Sequence, residues 1–215
     1  MAEEDRHGGR TLGSVTTETS EVPRLVGCVV LIPVKAFGAG KARLAPTLDA
    51  NGRAELSRMM ATRVLEAAAP LPVAVVCDDA EVASWAVENG AMVLPEPGRG
   101  LNGAVEAGVA RLATLGAGEV LVAHADLPMA HGLAQLAGFG GVTLVPDRRD
   151  DGTNVVCVPA HTSFRFAYGP GSFTRHRAEA ELLGLECRVV RQPDLAWDVD
   201  VPADIPAEFV PPALL

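Results

Sequence analysis

Residues 31–46 read LIPVKAFGAGKARLAP, an apolar run that passes directly into a loop of glycines and cations. The apolar part, residues 27–34, predicts a buried first β-strand. The loop behind it carries Lys35, Lys41 and Arg43. In an open α/β sheet the ligand crevice lies beyond the carboxyl ends of the strands, so cations at this place are positioned to bind a phosphate chain.

This loop matches neither of two familiar nucleotide-binding fingerprints. It has neither the G-x-x-x-x-G-K-[ST] pattern of P-loops nor the G-x-G-x-x-G pattern of dinucleotide-binding folds. Taken alone, a solvated basic loop after a strand explains these residues as well as a phosphate site does. The rest of the chain decides between the two interpretations.

Length and composition suit one α/β domain. The chain has 215 residues, of which 48% are hydrophobic, enough to bury a large core. Residues 1–24 are polar and charged and have too little apolar surface to offset the entropy of ordering. We therefore predict a flexible N-terminal arm at residues 1–24 and a single domain at residues 25–215.

Charge and hydropathy argue against some classes of partner. A net charge of -9, from 27 acidic and 18 basic residues, argues against a surface that binds nucleic-acid backbones. No segment reaches the ~18 continuous apolar residues of a membrane span, and no signal-peptide core follows the start. We expect a cytoplasmic protein without a nucleic-acid or membrane partner. The four cysteines lack C-x-x-C spacing and predict small buried hydrophobic residues rather than a metal site.

Strand and helix patterns alternate after the first loop. Predicted helices cover residues 51–69, 79–89, 102–115 and 172–183, and predicted strands cover residues 73–77, 91–94 and 119–123. This alternation is typical of a parallel sheet with helices on its faces. Around Asp151 and Gly152 the pattern changes to two strands joined by a tight charged turn, which predicts an antiparallel pair closing over one edge of the sheet.

Two aspartates stand in matching D-x-P contexts. Asp126 follows a predicted strand in the run HADLP, and Asp200 lies in WDVDVP. Mg²⁺ in proteins is usually bound through one or two carboxylates and substrate phosphates, which favours this pair as metal ligands. A turn or helix-capping role is the alternative for each. Three histidines show no consistent metal spacing and are expected to be hydrogen-bonded within the fold or exposed: His124, His131 and His161.

Asn102 lies where a glycine-rich loop, PEPGRGLNG, meets a predicted helix start. Asn is a good N-cap, so capping is one interpretation of this residue. The other is that its amide, which offers both a donor and an acceptor, contacts the edge of a base or ribose. The sequence leaves both open.

A second anion site is predicted at residues 168–176, which read YGPGSFTRH. The two glycines and the proline force an irregular turn, and Ser172 is expected to cap the helix that follows. Helix N-termini bind anions through free N–H groups and the helix dipole. Arg175 and His176 add charge and donors within that first turn, and Thr153 is expected to face them.

Taken in order, several motifs of this chain resemble one enzyme family. They are IPVKxFxxxKxRL at the first loop, then GLN, ADLP, DGTN, YGPGSFxRH and DVDVPAD. The set resembles the guanylyltransferases of coenzyme F-420 biosynthesis, which use 2-phospho-L-lactate or phosphoenolpyruvate as acceptor. The resemblance covers residues 27–209 without large gaps. It implies a Rossmann-like nucleotidyltransferase domain of the glycosyltransferase-A type, with a mostly parallel mixed sheet and helices on both faces.

The resemblance also implies roles for the candidate residues. The cations that it places on the GTP triphosphate are Lys35, Lys41 and Arg43. It places guanosine near Asn102. The implied Mg²⁺ ligands are Asp126 and Asp200. The implied acceptor-binding positions are Thr153, Gly169 and Ser172, beside Arg175 and His176.

The acceptor is predicted from the same resemblance. The Ala-, Arg-, Gly- and Val-rich usage resembles that of GC-rich bacterial members, for which the family implies phosphoenolpyruvate. We therefore predict GTP and phosphoenolpyruvate as substrates, with 2-phospho-L-lactate as the alternative acceptor. A related nucleotidyltransferase with another base or acceptor, of the molybdopterin or sugar-phosphate type, is a second possibility. A non-catalytic nucleotide-binding module is the third.

Overall fold

A seven-stranded sheet forms the centre of the part of the chain that the structure describes. In the computed structural model this part comprises residues 24–96 and 98–209, so the predicted arm at residues 1–24 lies outside it except for its last residue. The strands are β1 Cys28–Pro33, β2 Val73–Cys77, β3 Met92–Pro95, β4 Glu119–Ala123, β5 Val142–Pro146, β6 Thr153–Pro159 and β7 Cys187–Val189. Their order is β3-β2-β1-β4-β6-β5-β7, and of these seven only β6 runs antiparallel to its neighbours.

Four longer helices and one short helix accompany the sheet within the described residues. They are α1 Ala50–Ala67, α2 Ala80–Glu88, α3 Gly100–Thr114, α4 Ser172–Leu182 and α5 Pro193–Ala196. Asp49 caps α1 by accepting a hydrogen bond from the Gly52 amide at 2.7 Å. Asp79 caps α2 by accepting one from the Val82 amide at 3.0 Å. None of these helices combines the length and the apolarity that crossing a bilayer requires.

The core lies on both faces of the sheet because the side chains of a strand alternate between its faces. Along β1, Val30 and Ile32 pack with α1 and α2, whereas Val29 and Leu31 pack with α3 and α4. All four side chains are at most 1% exposed. Burying such an aliphatic side chain contributes roughly 1.5–3 kcal/mol. The predicted mostly parallel sheet with helices on both faces is confirmed.

The antiparallel pair β5–β6 lies in a different place from the one predicted. The two strands are paired and carry a register shift at Val145 and Pro146, but β6 inserts between β4 and β5 instead of closing over an edge. The reason is burial on both faces, since the first six residues of β6 are all buried. The unpredicted strand β7 forms that edge, and its three partly buried residues are too few to show a pattern in the sequence.

A small apolar cluster joins the first loop to α1 and to the C-terminal segment. It contains Leu44, Leu48, Leu56, Met60, Val199 and Phe209. Val199 is 0% exposed and stands between two aspartates. The cluster therefore fixes the backbone at residues 198–200 against the loop that carries the predicted phosphate-binding cations.

Candidate active site

One cleft of about 840 Å³ lies at the carboxyl ends of β1 and β4. Because β6 is antiparallel, its amino end, with Thr153 and Asn154, reaches the same edge of the sheet. The predicted site residues that line the cleft are Lys35, Lys41, Arg43, Asp126, Thr153, Gly169, Ser172 and Asp200. Asn102, Arg175 and His176 are not among the lining residues. The structure thus brings together eight of the eleven predicted residues.

Lys41 connects the first loop to both candidate metal-binding segments. Its ammonium group donates to Asp126 Oδ2 at 2.6 Å and to the Val199 carbonyl at 2.5 Å. The backbone of Lys41 is left-handed, with φ of 60°. That conformation costs roughly 1–2 kcal/mol for a residue other than glycine. The two charge-assisted hydrogen bonds offset the cost and hold the ammonium inside the cleft.

Arg43 and Lys35 occupy more open positions in the cleft. Arg43 Nη1 lies 3.7 Å from Asp200 Oδ2, and the two side chains are 74% and 46% exposed. Such an exposed pair contributes little to stability. Lys35 is exposed at the same rim. Both cations are therefore free to turn towards a bound anion at small energetic cost.

Asp198 also lines the cleft beside the two predicted metal ligands, and the sequence prediction missed it. Asp126, Asp198 and Asp200 all line the cleft, and the Val199 amide donates to the Asp126 carbonyl at 3.2 Å, which ties the two segments together. Burial raises the pKa of Asp198, and the negative charges of Asp126 and Asp200 raise it further. The DVD pattern was the available signal. Because Val199 is buried, its two neighbours along an extended segment both face away from the core.

The carboxylates of this cluster fit a divalent metal ion. Burial would raise the pKa of Asp126, but the Lys41 ammonium and then His124 outweigh it, so the pKa lies below its usual value. Asp126 Oδ1 is buried and has no hydrogen-bond partner among the described residues. An ionised, partly unpaired carboxylate beside two further carboxylates is the oxygen donor set that Mg²⁺ takes in proteins.

The turn before α4 is built on glycine. Gly169 and Gly171 have φ of 110° and 73°, conformations that other residues rarely adopt. Gly171 is the N-cap of α4 and Ser172 is its first helical residue, so the predicted capping role of Ser172 is wrong. The Ser172 hydroxyl instead lies 3.5 Å from Thr153 Oγ1, and both side chains are nearly buried at the inner wall of the cleft. The amides of Gly171, Ser172 and Phe173 are engaged by Asp151 and Gly169, so it is the helix dipole, and not a row of free N–H groups, that favours an anion at the start of α4.

Arg175 and His176 stabilise this turn from behind. The Arg175 guanidinium donates to the carbonyls of Ala167, Gly169 and Pro170. These carbonyls belong to an irregular segment without regular backbone partners, so they require side-chain donors. Arg175 is not among the residues that line the cleft, and its predicted contact with an anion stays a prediction.

His176 is fully buried and has both ring nitrogens engaged. Nε2 accepts a hydrogen bond from the Ala167 amide at 3.0 Å, which places the ring proton on Nδ1, 3.1 Å from Thr153 Oγ1. Burial is the main cause that lowers the pKa of His176 to about 4, and the neighbouring His124 imidazole and Arg175 guanidinium lower it further. The ring is therefore neutral near pH 7 and orients Thr153 instead of binding an anion itself, contrary to the prediction.

Asp151 also supports the turn and was not predicted to do so. Its carboxylate accepts a hydrogen bond from the Gly171 amide at 3.1 Å, and its carbonyl accepts one from the Phe173 amide at 3.0 Å. Asp151 lies in the charged turn between β5 and β6 and lines the cleft. The two turns therefore form one connected wall.

Asn102 has a structural partner that the sequence did not reveal. Helix α3 begins at Gly100 with Arg99 at the N-cap, so the capping interpretation of Asn102 is wrong. Its Oδ1 accepts a hydrogen bond from the Tyr168 amide at 2.8 Å, and this bond connects α3 to the glycine-rich turn. The neighbouring Leu101 lines the cleft, so Asn102 stands directly behind its wall. Its contact with guanosine stays a prediction.

His124 and Tyr168 are two cleft residues that the sequence did not identify. Their rings lie 4.7 Å apart, and His124 Nε2 and the Tyr168 hydroxyl are both buried without a hydrogen-bond partner in the described part of the chain. The expectation that His124 is satisfied or exposed is therefore wrong. Burial lowers the pKa of His124 against the opposing effect of Asp126, so the ring is neutral near pH 7. Its position two residues before Asp126 was the available signal.

Comparisons with known proteins agree with this geometry. A family model described as Guanylyl transferase CofC like matches residues 28–210. The chain is 37% identical over 184 residues to the phosphoenolpyruvate guanylyltransferase of Rubrobacter xylanophilus, across 81% of this chain and 90% of that one. It is 34% identical over 186 residues to the protein of the same name from Sphaerobacter thermophilus, across 82% and 90%.

Solved structures share the fold at lower identity. A candidate nucleotide-diphospho-sugar transferase from Desulfovibrio desulfuricans has a TM-score of 0.66 at 16% identity, across 81% of this chain and 82% of that one. A nucleotidyl transferase from Methanothermobacter has a TM-score of 0.57 at 15% identity, across 83% and 94%. Glucosyl-3-phosphoglycerate synthase from Mycobacterium tuberculosis, solved with Mn²⁺ and uridine diphosphate, has a TM-score of 0.52 at 15% identity, across 86% and 76%. These similarities show a Rossmann-like nucleotidyltransferase fold.

Proposed function

Because the chain belongs to the family described as Guanylyl transferase CofC like, we propose that it transfers GMP from GTP to phosphoenolpyruvate and releases pyrophosphate. This is a step of coenzyme F-420 biosynthesis in the family that the sequence resembles. The observation that supports it is the cleft of about 840 Å³, which is lined by the cations of the first loop, by Asp126, Asp198 and Asp200, and by the start of α4. That volume suits a nucleotide together with a small acid. Both substrates are metabolites of the cytoplasm, so we place the reaction there.

The nucleotide half of the proposed site is the loop after β1. Lys35, Lys41 and Arg43 would bind the triphosphate, because they are the cations that line the cleft beside the carboxylates. Cations in this position stabilise the charge that builds up on departing pyrophosphate. Asn102 would lie near guanosine, since it stands behind the wall that Leu101 lines.

Asp126, Asp198 and Asp200 would hold Mg²⁺. When bound, Mg²⁺ would neutralise charge on the reacting phosphates. In the structure the Lys41 ammonium forms an ion pair with Asp126 Oδ2, and the Arg43 guanidinium lies near the Asp200 carboxylate. On substrate binding, each cation would turn from its carboxylate to a phosphate.

The acceptor half of the proposed site is formed by the start of β6 and the turn before α4. Phosphoenolpyruvate carries one phosphate and one carboxylate, so it needs two adjacent anion-binding places. The hydroxyls of Thr153 and Ser172 lie 3.5 Å apart at the positive end of the α4 dipole, which favours an anion there. Gly169 lines the same wall and leaves room for the acceptor to approach the backbone.

No general base is required for this transfer. The second pKa of a phosphate group is about 6, so the acceptor phosphate is mostly ionised near neutral pH. One of its oxygens forms a bond to the α-phosphorus of GTP, and the bond from that phosphorus to the bridging oxygen of pyrophosphate breaks. The chain's own part is to align the two anions and to offset their charge.

The proposal is tested by a pyrophosphate-release panel. GTP, ATP, CTP and UTP are each paired with phosphoenolpyruvate and with 2-phospho-L-lactate at matched concentration, with Asp126→Asn as the inactive control. We expect the fastest release with GTP and phosphoenolpyruvate, and none without an acceptor. Faster turnover of 2-phospho-L-lactate would change the acceptor. Nucleotide binding without pyrophosphate release in any pairing would refute the proposed enzyme.

A further inference from the structure

Arg148 connects the turn between β5 and β6 to the segment that carries two of the cleft carboxylates. Its Nη2 donates to Asp204 Oδ1 at 2.8 Å and to the carbonyl of Asp198 at 3.2 Å. The guanidinium also lies 4.0 Å above the ring of Trp197. The side chain is 29% exposed, so its charge is held against protein on several sides. Arg148 is not among the residues that line the cleft.

Asp204 completes the connection from the other side of Val199. Its carboxylate is 8% exposed, and Oδ2 accepts hydrogen bonds from the amides of Asp200 at 3.0 Å and Val201 at 2.9 Å. Its own carbonyl accepts a hydrogen bond from Trp197 Nε1 at 2.8 Å. One carboxylate oxygen of Asp204 therefore holds two amides of the segment at residues 197–204, and the other binds Arg148.

The pair acts on the backbone at both cleft aspartates. Arg148 binds the carbonyl of Asp198, and Asp204 binds the amide of Asp200. Between them the Val199 side chain is fixed in the small apolar cluster. The backbone at Asp198 and Asp200 is thus held by the two partners of one ion pair, and Val199 between them is held by apolar packing.

We infer that Arg148 and Asp204 are positioning residues that hold Asp198 and Asp200 at the separation required for a divalent cation. This inference rests on the proposed function, in which those carboxylates bind the metal. The two carboxylates carry the same charge and repel each other, so a mobile backbone at residues 198–200 would let them move apart. A fixed backbone keeps them together before the cation arrives.

The size of the effect follows from known metal sites. Residues that orient metal ligands without touching the metal typically change metal affinity 10–100-fold when they are mutated. Asp204→Asn removes the charge and one acceptor, and Arg148→Ala removes both hydrogen bonds and the stacking on Trp197. We expect each variant to bind Mn²⁺ about tenfold more weakly than the wild type.

The test measures Mn²⁺ binding to the full chain by electron paramagnetic resonance, with a GTP analogue that has a methylene group between the α- and β-phosphates. Arg191→Ala is the matched control, because Arg191 forms an exposed ion pair with Asp150 of the same turn, at 2.8 Å, away from the cleft. We expect the control to stay within twofold of the wild type. The double variant should bind no more weakly than the weaker single variant, since both residues act through one ion pair.

A purely structural role would give a different result. Arg148→Ala and Asp204→Asn would then melt at lower temperature but, measured while folded, would bind Mn²⁺ like the wild type, and that outcome would overturn the inference. Arg148→Lys keeps the charge and should show a smaller loss of affinity, which provides a test if the other variants do not fold. Mn²⁺ binding does not require turnover. A wild type that binds Mn²⁺ but transfers no GMP would therefore refute the proposed function and leave this inference standing.

Discussion

Replacing Lys41 by Met should change metal binding and nucleotide binding in opposite directions. The Lys41 ammonium lies 2.6 Å from Asp126 Oδ2, with side-chain exposures of 14% and 27%. It therefore competes with any cation for that carboxylate, while the proposed function also requires it to bind the triphosphate. Without it, Mg²⁺ or Mn²⁺ should bind the free protein more tightly and GTP should bind more weakly.

The magnitude follows from the burial of the pair. Removing one partner of a buried ion pair costs about 3–5 kcal/mol when the other charge stays buried. Both side chains keep some exposure, so the low end applies, and a metal ion recovers only part of it. A recovery of about 1.4 kcal/mol corresponds to tenfold tighter Mn²⁺ binding in the absence of nucleotide. For kcat/KM with GTP we expect a loss of about 100-fold, the typical effect of removing one electrostatic contact in a transition state.

Isothermal titration with Mn²⁺, with and without the GTP analogue, measures the first effect, and steady-state kinetics measure the second. Lys35→Met is the control, because Lys35 lines the same cleft from an exposed position and its loss changes the net charge equally. The control should alter metal binding less than Lys41→Met does. If Lys41→Met binds Mn²⁺ more weakly than the wild type without nucleotide, Lys41 and the metal do not compete and the exchange of partners is refuted.

Four further predictions concern the two halves of the site. Asp126→Asn should lower turnover by orders of magnitude because an amide is a poor Mg²⁺ ligand, and should melt at a lower temperature because it loses its ion pair with Lys41; near-normal turnover of the folded variant would remove Asp126 from the metal site. Arg43→Ala should weaken GTP and ATP alike, whereas Asn102→Ala should reduce the preference for GTP over ATP in kcat/KM, and the reverse pattern would exchange their roles. Ser172→Ala should raise the KM for phosphoenolpyruvate more than the KM for GTP, and an unchanged acceptor KM would remove this turn from the site. Because the pKa of His176 is about 4 in the folded protein and about 6.5 in the unfolded chain, the free energy of unfolding should be highest above pH ~6.5. It should fall by up to ~3 kcal/mol as the pH is lowered to 4. His176→Gln should flatten that part of the profile, and equal slopes for both proteins would contradict this assignment.

The sequence predicted the wall formed by the loops after β1 and β4 better than the wall formed by the start of β6 and the turn before α4. Lys35, Lys41, Arg43 and Asp126 follow apolar strands, and the carboxyl ends of parallel neighbours must meet at one edge. Their convergence thus follows from strand order alone. The family resemblance is also confirmed, because its motifs are spread along most of the described chain.

The misses share a physical cause, which is that a side chain's partner is set by tertiary contacts. Asn102 stands at a helix start in the sequence, yet its acceptor is the amide of Tyr168, 66 residues away. His176 resembles a surface donor in a helix that is otherwise polar, yet it is buried against Thr153. Asp198 was passed over because only the burial of Val199 shows that both flanking aspartates face the cleft.

Under the proposed function, the reversed direction of β6 places the binding of the two substrates on separate parts of the chain that can vary independently. The loops after β1 and β4 follow parallel strands that are paired with each other. The opposite wall arises from the entry into β6 and from the turn before α4, which contact each other through Asp151. A change of acceptor would therefore need new residues only at the entry to one strand and in one turn. The residues proposed to act at the α-phosphorus would stay unchanged. Acceptor selectivity is therefore the property that mutation should alter most readily.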